Sequence, residues 1–192
     1  MPTGSTEWAL LLFLYLRGGY ASRREAAAEL GLGEGRARRL LELFSARGLV
    51  ETVRSGSRVT EAGRREVEEF LERNGFLAAA ALRCSGLKGG GEYWCAAFHA
   101  RGVEVWGEAV ELRDCAVRAG AVGALVIVAG AERLHLPPGR EILEDYLPGL
   151  AGEMKKIFDL RGGDLVLVPF AERLGGAVRG FLGMLGCLSR TL

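Results

Sequence analysis

Residues Glu29–Thr60 read ELGLGEGRARRLLELFSARGLVETVRSGSRVT. The stretch contains a glycine-bounded turn, a helix signal and a hairpin signal, in that order. Gly31-Leu32-Gly33 supplies the turn. Ala37, Leu40, Leu41 and Phe44 then recur at the spacing of one helical face. This predicts a helix from Glu34 to Arg47, stopped by Gly48. The runs LVETVR and RVT flank Ser55-Gly56-Ser57 and predict a short β-hairpin with those three residues at its tip.

Upstream, Ser5 or Thr6 is expected to cap a first helix that runs to Arg17 and ends at Gly18-Gly19. It is apolar nearly all round, so it belongs in a core or a dimer interface. Ser22-Arg23-Arg24-Glu25 is a capping box opening the helix REAAAEL. Two short helices joined by a small glycine-containing turn are the helix-turn-helix pattern. Downstream, Thr60 caps a fourth helix ending at Asn74-Gly75, with Val67, Phe70 and Leu71 on one face. A domain boundary is placed there, separating residues 1–75 from 76–192.

The second half mixes signals. Glu92–Ala100, Ala124–Gly130, Arg133–Pro137 and Asp164–Phe170 read as strands. Glu108–Gly120, REILEDYL, GEMKKIF and Glu172–Ser189 read as helices, with an interruption at Pro148-Gly149. Gly176, Gly180 and Gly183 leave one face of the last helix without bulk, open to a close neighbour. The fold class is therefore α+β, with a small C-terminal domain whose sheet is covered by helices.

Composition narrows the function. The chain has 192 residues, enough for one large domain or two small ones. The net charge is +1, but arginines outnumber glutamates between Arg17 and Arg65, so a near-neutral total hides a basic N-terminal block. Cys84, Cys95, Cys115 and Cys187 form no C-x-x-C pair and are expected as buried free thiols. Cys95 and His99 make half of a zinc-type spacing with no second half, so no metal site is expected. The apolar run Trp8–Leu16 is too short to span a bilayer and lacks the flanks of a signal peptide. A soluble, cytoplasmic protein is expected. No phosphate loop, nucleophile elbow or H-E-x-x-H occurs, so neither catalysis nor a cofactor is expected. The glycine-rich Leu87–Trp94 is read as a flexible turn, and RGGDLVLV as a turn before a strand.

On the third helix, Gly35 and Arg39 lie opposite the apolar face, with Arg36 and Arg38 on its flanks. A helix with a cationic outer face and no large apolar side chain fits the DNA major groove, where arginine binds guanine or phosphate. Arg23 and Arg24 stand at the start of the second helix. Arg54, Ser55, Gly56, Ser57 and Arg58 form the hairpin expected to follow the sugar-phosphate edge. The expected partner is double-stranded DNA. The alternative is a non-catalytic interaction module that uses these same helices and hairpin to bind protein, and the plainest reading of the arginines is a solvated face.

The order ASRREAAAELGLGEGRARRLLELFSARGLVE, hairpin, VTEAGRREVEEFL resembles the winged helix-turn-helix of prokaryotic transcription regulators. ELGLGEG at the turn, ARGLVE before the wing and VTEAGR after it carry the resemblance, over residues 5–74. Glu111–Val128, ELRDCAVRAGAVGALVIV, also resembles part of an uncharacterised archaeal family that places a winged helix before a domain of unknown function. The resemblance implies a transcription regulator with a C-terminal sensing or dimerising domain. A small-molecule effector is among its expected partners, as is a second copy of the chain, held through the apolar first helix and the Val67, Phe70, Leu71 strip. His99 and His135 are expected as satisfied, partly buried histidines, Trp94 and Trp106 as core residues, and Arg113 and Asp114 as exposed surface.

Overall fold

The N-terminal elements follow from local signals. The computed structural model describes residues 4–87, 90–103, 105, 108–139 and 141–188. Helix α1 (Ser5–Arg17) ends where Gly18 turns left-handed at φ 71°. Its N-cap is Gly4, with no side-chain cap, so Ser5 and Thr6 lie inside the helix rather than capping it. Helix α2 (Arg23–Leu30) starts at the predicted capping box and stops at Gly31. Helix α3 (Glu34–Ala46) buries Ala37, Leu41 and Phe44. Strands β1 (Val50–Val53) and β2 (Gly56–Val59) form the hairpin, and α4 (Glu61–Arg73) follows with Thr60 as its side-chain cap.

The hairpin tip is not the expected Ser55-Gly56-Ser57. Val53 pairs with Gly56, so Arg54 and Ser55 alone make the turn. Ser57 is drawn into the strand, where its backbone exchanges hydrogen bonds with Ala21 at 2.8 and 2.9 Å.

Strand β3 (Phe76–Cys84) begins directly after α4. Strand β4 (Tyr93–Ala100), helix α5 (Ala109–Arg118) and strand β5 (Gly123–Ala129) come next. They are followed by strands β6 (Leu134–Leu136) and β7 (Glu141–Ile142), then helices α6 (Leu143–Tyr146) and α7 (Pro148–Ile157). Strand β8 (Leu165–Ala171) and helix α8 (Leu174–Leu188) complete the described chain. The class is α+β. Six strands form one sheet in the order β3-β4-β8-β5-β6-β7, and every pairing is antiparallel.

Two segments depart from the sequence reading. Residues 76–84 were not expected as a strand, yet FLAAAALRC pairs along β4 from Phe76↔Ala100 to Cys84↔Tyr93. REILEDYL was expected as a helix. Glu141 and Ile142 instead pair with Leu136 and His135, and only one helical turn remains. Arg140 and Trp106 lie outside the described residues, as do residues 88 and 89 of the Leu87–Trp94 turn. Trp94 is half-buried against the core, with the Arg83 guanidinium 5.0 Å above its ring.

The period-2 alternation sorts the sheet into two faces. Ala96, Phe98, Ala124, Val126, Leu165 and Leu167 face a core shared with α1, α5 and α8. Cys95, Ala97, Ile127, Val166 and Val168 face a second core closed by α7. The glycine face of α8 works as expected. A Cβ at Gly180 would stand 2.8 Å from the Ala121 Cβ, and one at Gly183 would stand 2.6 Å from the Cys115 carbonyl oxygen.

That close approach brings Cys115 and Cys187 to a Cα separation of 6.7 Å, and neighbouring strands bring Cys84 and Cys95 to 6.3 Å. Both pairs are disulfides, not the expected free thiols; the separations fall within disulfide reach.

The boundary at Gly75 separates elements but not cores. Ala9 to Leu14 are all buried, under α8 and β3 as well as α2 and α4. Phe76 packs edge-on against Phe98 and Phe181, and Trp8 stacks on Phe70 at 3.8 Å. The apolar surface from which a homodimer was expected is therefore covered within one chain. Val67, Phe70 and Leu71 are buried with it. No described helix is long and apolar enough to cross a membrane.

Candidate functional site

The capping box fixes where α2 begins. The Ser22 hydroxyl accepts from the Glu25 amide at 3.1 Å, and the Ser22 amide donates to Glu25 Oε2 at 3.4 Å. Arg23 and Arg24 therefore stand exposed in the first turn. Burial of Ala37, Leu41 and Phe44 turns Arg36, Arg38 and Arg39 outward on α3. Gly35 is exposed, with open space where a side chain would stand. Between the start of α2, α3 and the hairpin lies a groove of about 650 Å³, lined by Arg23, Arg38 and Arg54 together with Ser22, Ser45 and Thr52.

The expected contact residues are not equivalent. Among the described residues, the Arg23, Arg39 and Arg54 side chains have no hydrogen-bond or ion-pair partner. Arg24 and Arg38 each lie 3.6 Å from a carboxylate, Glu34 and Glu42, in exposed pairs worth little. Arg36 donates to Thr6 Oγ1 at 3.2 Å and leans toward α1. Arg58 is held by Glu51, its cross-strand partner, and its guanidinium sits 4.9 Å over the Tyr20 ring. The Tyr20 hydroxyl donates to the same Glu51 carboxylate at 3.0 Å. Hydrogen bonds from Arg58 and then Tyr20 lower the Glu51 pKa. The Glu51 carboxylate in turn raises those of Arg58 and Tyr20.

Two expected residues face inward. Ser57 is only 2% exposed, and its hydroxyl lies 2.8 Å from that of Thr52. A Cβ at Gly56 would stand 2.6 Å from the Ala21 carbonyl oxygen. These two anchor the hairpin to the segment between α1 and α2, because the turn closes at Arg54-Ser55 and leaves them within β2. Ser55 remains exposed at the tip.

A polar cluster in the C-terminal half escaped the sequence reading. Ala100 pairs with Leu165, and continuing that register sets Arg101 beside Asp164. The Asp164 carboxylate accepts from Arg101 Nε and Nη2, both at 2.9 Å, and from the Arg161 amide at 3.0 Å. His99 Nε2 lies 2.8 Å from Asp164 Oδ2. Arg101 holds the carboxyl far below the usual carboxylate range, against the opposing effect of burial and with help from Arg161 and His99. Because the carboxylate is ionised, His99 Nε2 is the donor. His99 is thus the satisfied buried histidine expected. Arg113 and Asp114 are exposed. Asp164 and Arg101 carried no local signal, since 63 residues separate them.

The comparisons with known proteins concern the C-terminal half and the fold. Residues 91–185 match the family described as a domain of unknown function, DUF4443. That span runs from just before β4 into α8 and leaves out α1 to β3. A solved structure, the hypothetical protein PH0730 from Pyrococcus horikoshii OT3, is similar over 99% of this chain and 95% of its own, with 24% identity and a TM-score of 0.72. At that identity the likeness concerns the fold. No curated protein matches the chain.

Proposed function

We propose that this chain is a non-catalytic DNA-binding transcription regulator whose α1–α4 segment is a winged helix-turn-helix. Helix α3 enters the major groove, the β1–β2 hairpin lies on the backbone, and the C-terminal half senses an effector or mediates assembly. One observation carries this reading. Arg23, Arg38 and Arg54, from three separate elements, border a single groove beside the exposed face of α3. Arg23 and Arg54 have no carboxylate partner among the described residues and Arg38 only the exposed contact with Glu42, so the groove lining carries more positive than negative charge, which favours a polyanion. A duplex backbone beside a helix in the major groove supplies that charge.

The test is binding of the full chain to duplexes selected from a random pool, followed through a salt titration. With about four to six phosphates neutralised, log K falls against log salt with a slope near −4 to −5. An affinity unchanged between low and high salt would end the DNA reading and favour a protein partner on the same face.

A further inference from the structure

His99 and Asp164 are two of the three buried polar residues in the described chain. A buried carboxylate is costly unless every oxygen is satisfied, and here four donors satisfy it. What this cluster holds in place is Arg101. The Arg101 side chain is 39% exposed, and Nε and Nη2 are fixed in a two-point contact with Asp164. Nη2 also donates to the Asp159 carbonyl at 3.3 Å. Nη1 donates to no described residue. Arg101 is therefore an arginine locked in orientation with one edge left over.

Arg101 lines a cavity of about 590 Å³, at the end of β4, β5 and β8. The volume is that of a small-molecule site. The Arg161 side chain and the His135 imidazole, which has no partner among the described residues, stand around the same space. Val103, Val105 and Val128 make an apolar wall. Of the described carboxylates nearby, Asp164 is satisfied by four donors, and Asp159 lies outside the lining, exposed and 3.5 Å from the Arg161 guanidinium. Among the described residues, the lining side chains thus offer donors and an apolar wall, and their one carboxylate, Asp164, is already satisfied.

We propose that this cavity binds a small organic anion, a carboxylate on a compact apolar body. The carboxylate sits against Arg101 Nη1, with Arg161 and His135 as further donors, and the apolar body lies on the valine wall. Nothing in this proposal depends on duplex binding, and neither does its test.

The chain has two histidines, so His135→Gln assigns both imidazole signals in a proton–carbon correlation spectrum. Benzoate, isovalerate and hexanoate are titrated into the full chain without DNA, with benzamide as the neutral twin and inorganic phosphate as a headgroup without a body. At least one carboxylate is expected to move the His135 Cε1–H signal saturably. Benzamide and phosphate are expected to bind about tenfold more weakly or worse. Arg161→Gln, at an exposed side chain, weakens the carboxylate. Gly162→Phe fills the cavity mouth at little structural cost, because a Cβ there meets nothing nearer than 3.9 Å. It abolishes the shift and leaves the melting temperature in place. Four results each overturn the proposal: no saturable shift from any carboxylate up to about 10 mM, equal affinity for benzamide, equal affinity for phosphate, or an undiminished shift in folded Gly162→Phe.

Discussion

Arg39 and Arg58 carry the same charge, yet different neighbours hold them. Arg39 has no partner among the described residues, whereas Arg58 is committed to Glu51 and Tyr20. Under the proposed function, Arg39→Ala costs about 1–3 kcal/mol of duplex affinity and relaxes sequence preference. Arg54→Ala weakens all sequences alike, and Arg58→Ala does so less than Arg54→Ala. Fluorescence anisotropy on selected and scrambled duplexes checks this order, and a larger loss at Arg58 than at Arg54 refutes the assignment of the clamp. Asp164 gives a residue-scale prediction that needs no ligand. Its folded pKa lies below the unfolded value of about 3.9. Its contribution to stability is therefore fully present above that value and is lost as the pH falls toward the folded pKa. Asp164→Asn costs about 1–3 kcal/mol near neutral pH, because it weakens the buried hydrogen bonds of His99 and the Arg161 amide while the half-exposed Arg101 can turn to water. It also flattens the acid limb of a stability profile measured by urea unfolding. Parallel acid limbs for the two proteins would contradict the linkage.

At the scale of elements, the glycines of α8 separate packing from propensity. Gly183 lies against the Cys115 carbonyl oxygen, whereas a Cβ at Gly186 meets nothing within 4 Å. Gly183→Ala forces α5 and α8 apart and costs about 1–3 kcal/mol. Gly186→Ala stabilises the helix by about 0.5–1 kcal/mol. Thermal unfolding of both variants decides the matter, and equal shifts would mean that the α5–α8 approach is not as close as described. Elements with local punctuation were legible in sequence: Ser22 with Glu25, Thr60, Gly31 and Gly48 mark their helix ends by side-chain chemistry or a positive φ. Strand β3 was not. Its alanines favour helix over strand, and FLAAAALRC lacks polar alternation because both faces of the strand meet cores. Strand β7 was missed because two residues carry no period.

At the scale of the molecule, α1 decides how the halves relate. Leu11 is fully buried, and its helix packs on α8 as well as α4. Leu11→Ala lowers stability by about 2–5 kcal/mol. Its melting temperature stays independent of protein concentration, because the surface it disturbs is internal. A melting temperature that rises with concentration would restore the dimer through α1. Further contacts join the halves. Arg173 donates to the Ala28 carbonyl at 2.7 Å, Arg179 donates to the Leu30 carbonyl, and the Gly175 amide donates to Glu29 Oε2 at 2.9 Å. The C-terminal carbonyls of α2 are thus met by two cations, the favourable sign for that end of a helix.

The sequence by itself determined the local elements: the capped helices, the glycine stops, the hairpin's existence, the outward arginines of α3 and the bare face of α8. These depend on residues within a few positions of one another, where propensity and periodicity act. Tertiary structure alone decided the rest. It covered α1, paired the cysteines, drew Ser57 inward, tied Arg58 to Glu51 and set Arg101 beside Asp164. Each of these outcomes depends on strand register or helix approach between segments brought together only by folding. Local signals set the conformation of a segment, and only packing chooses its neighbour.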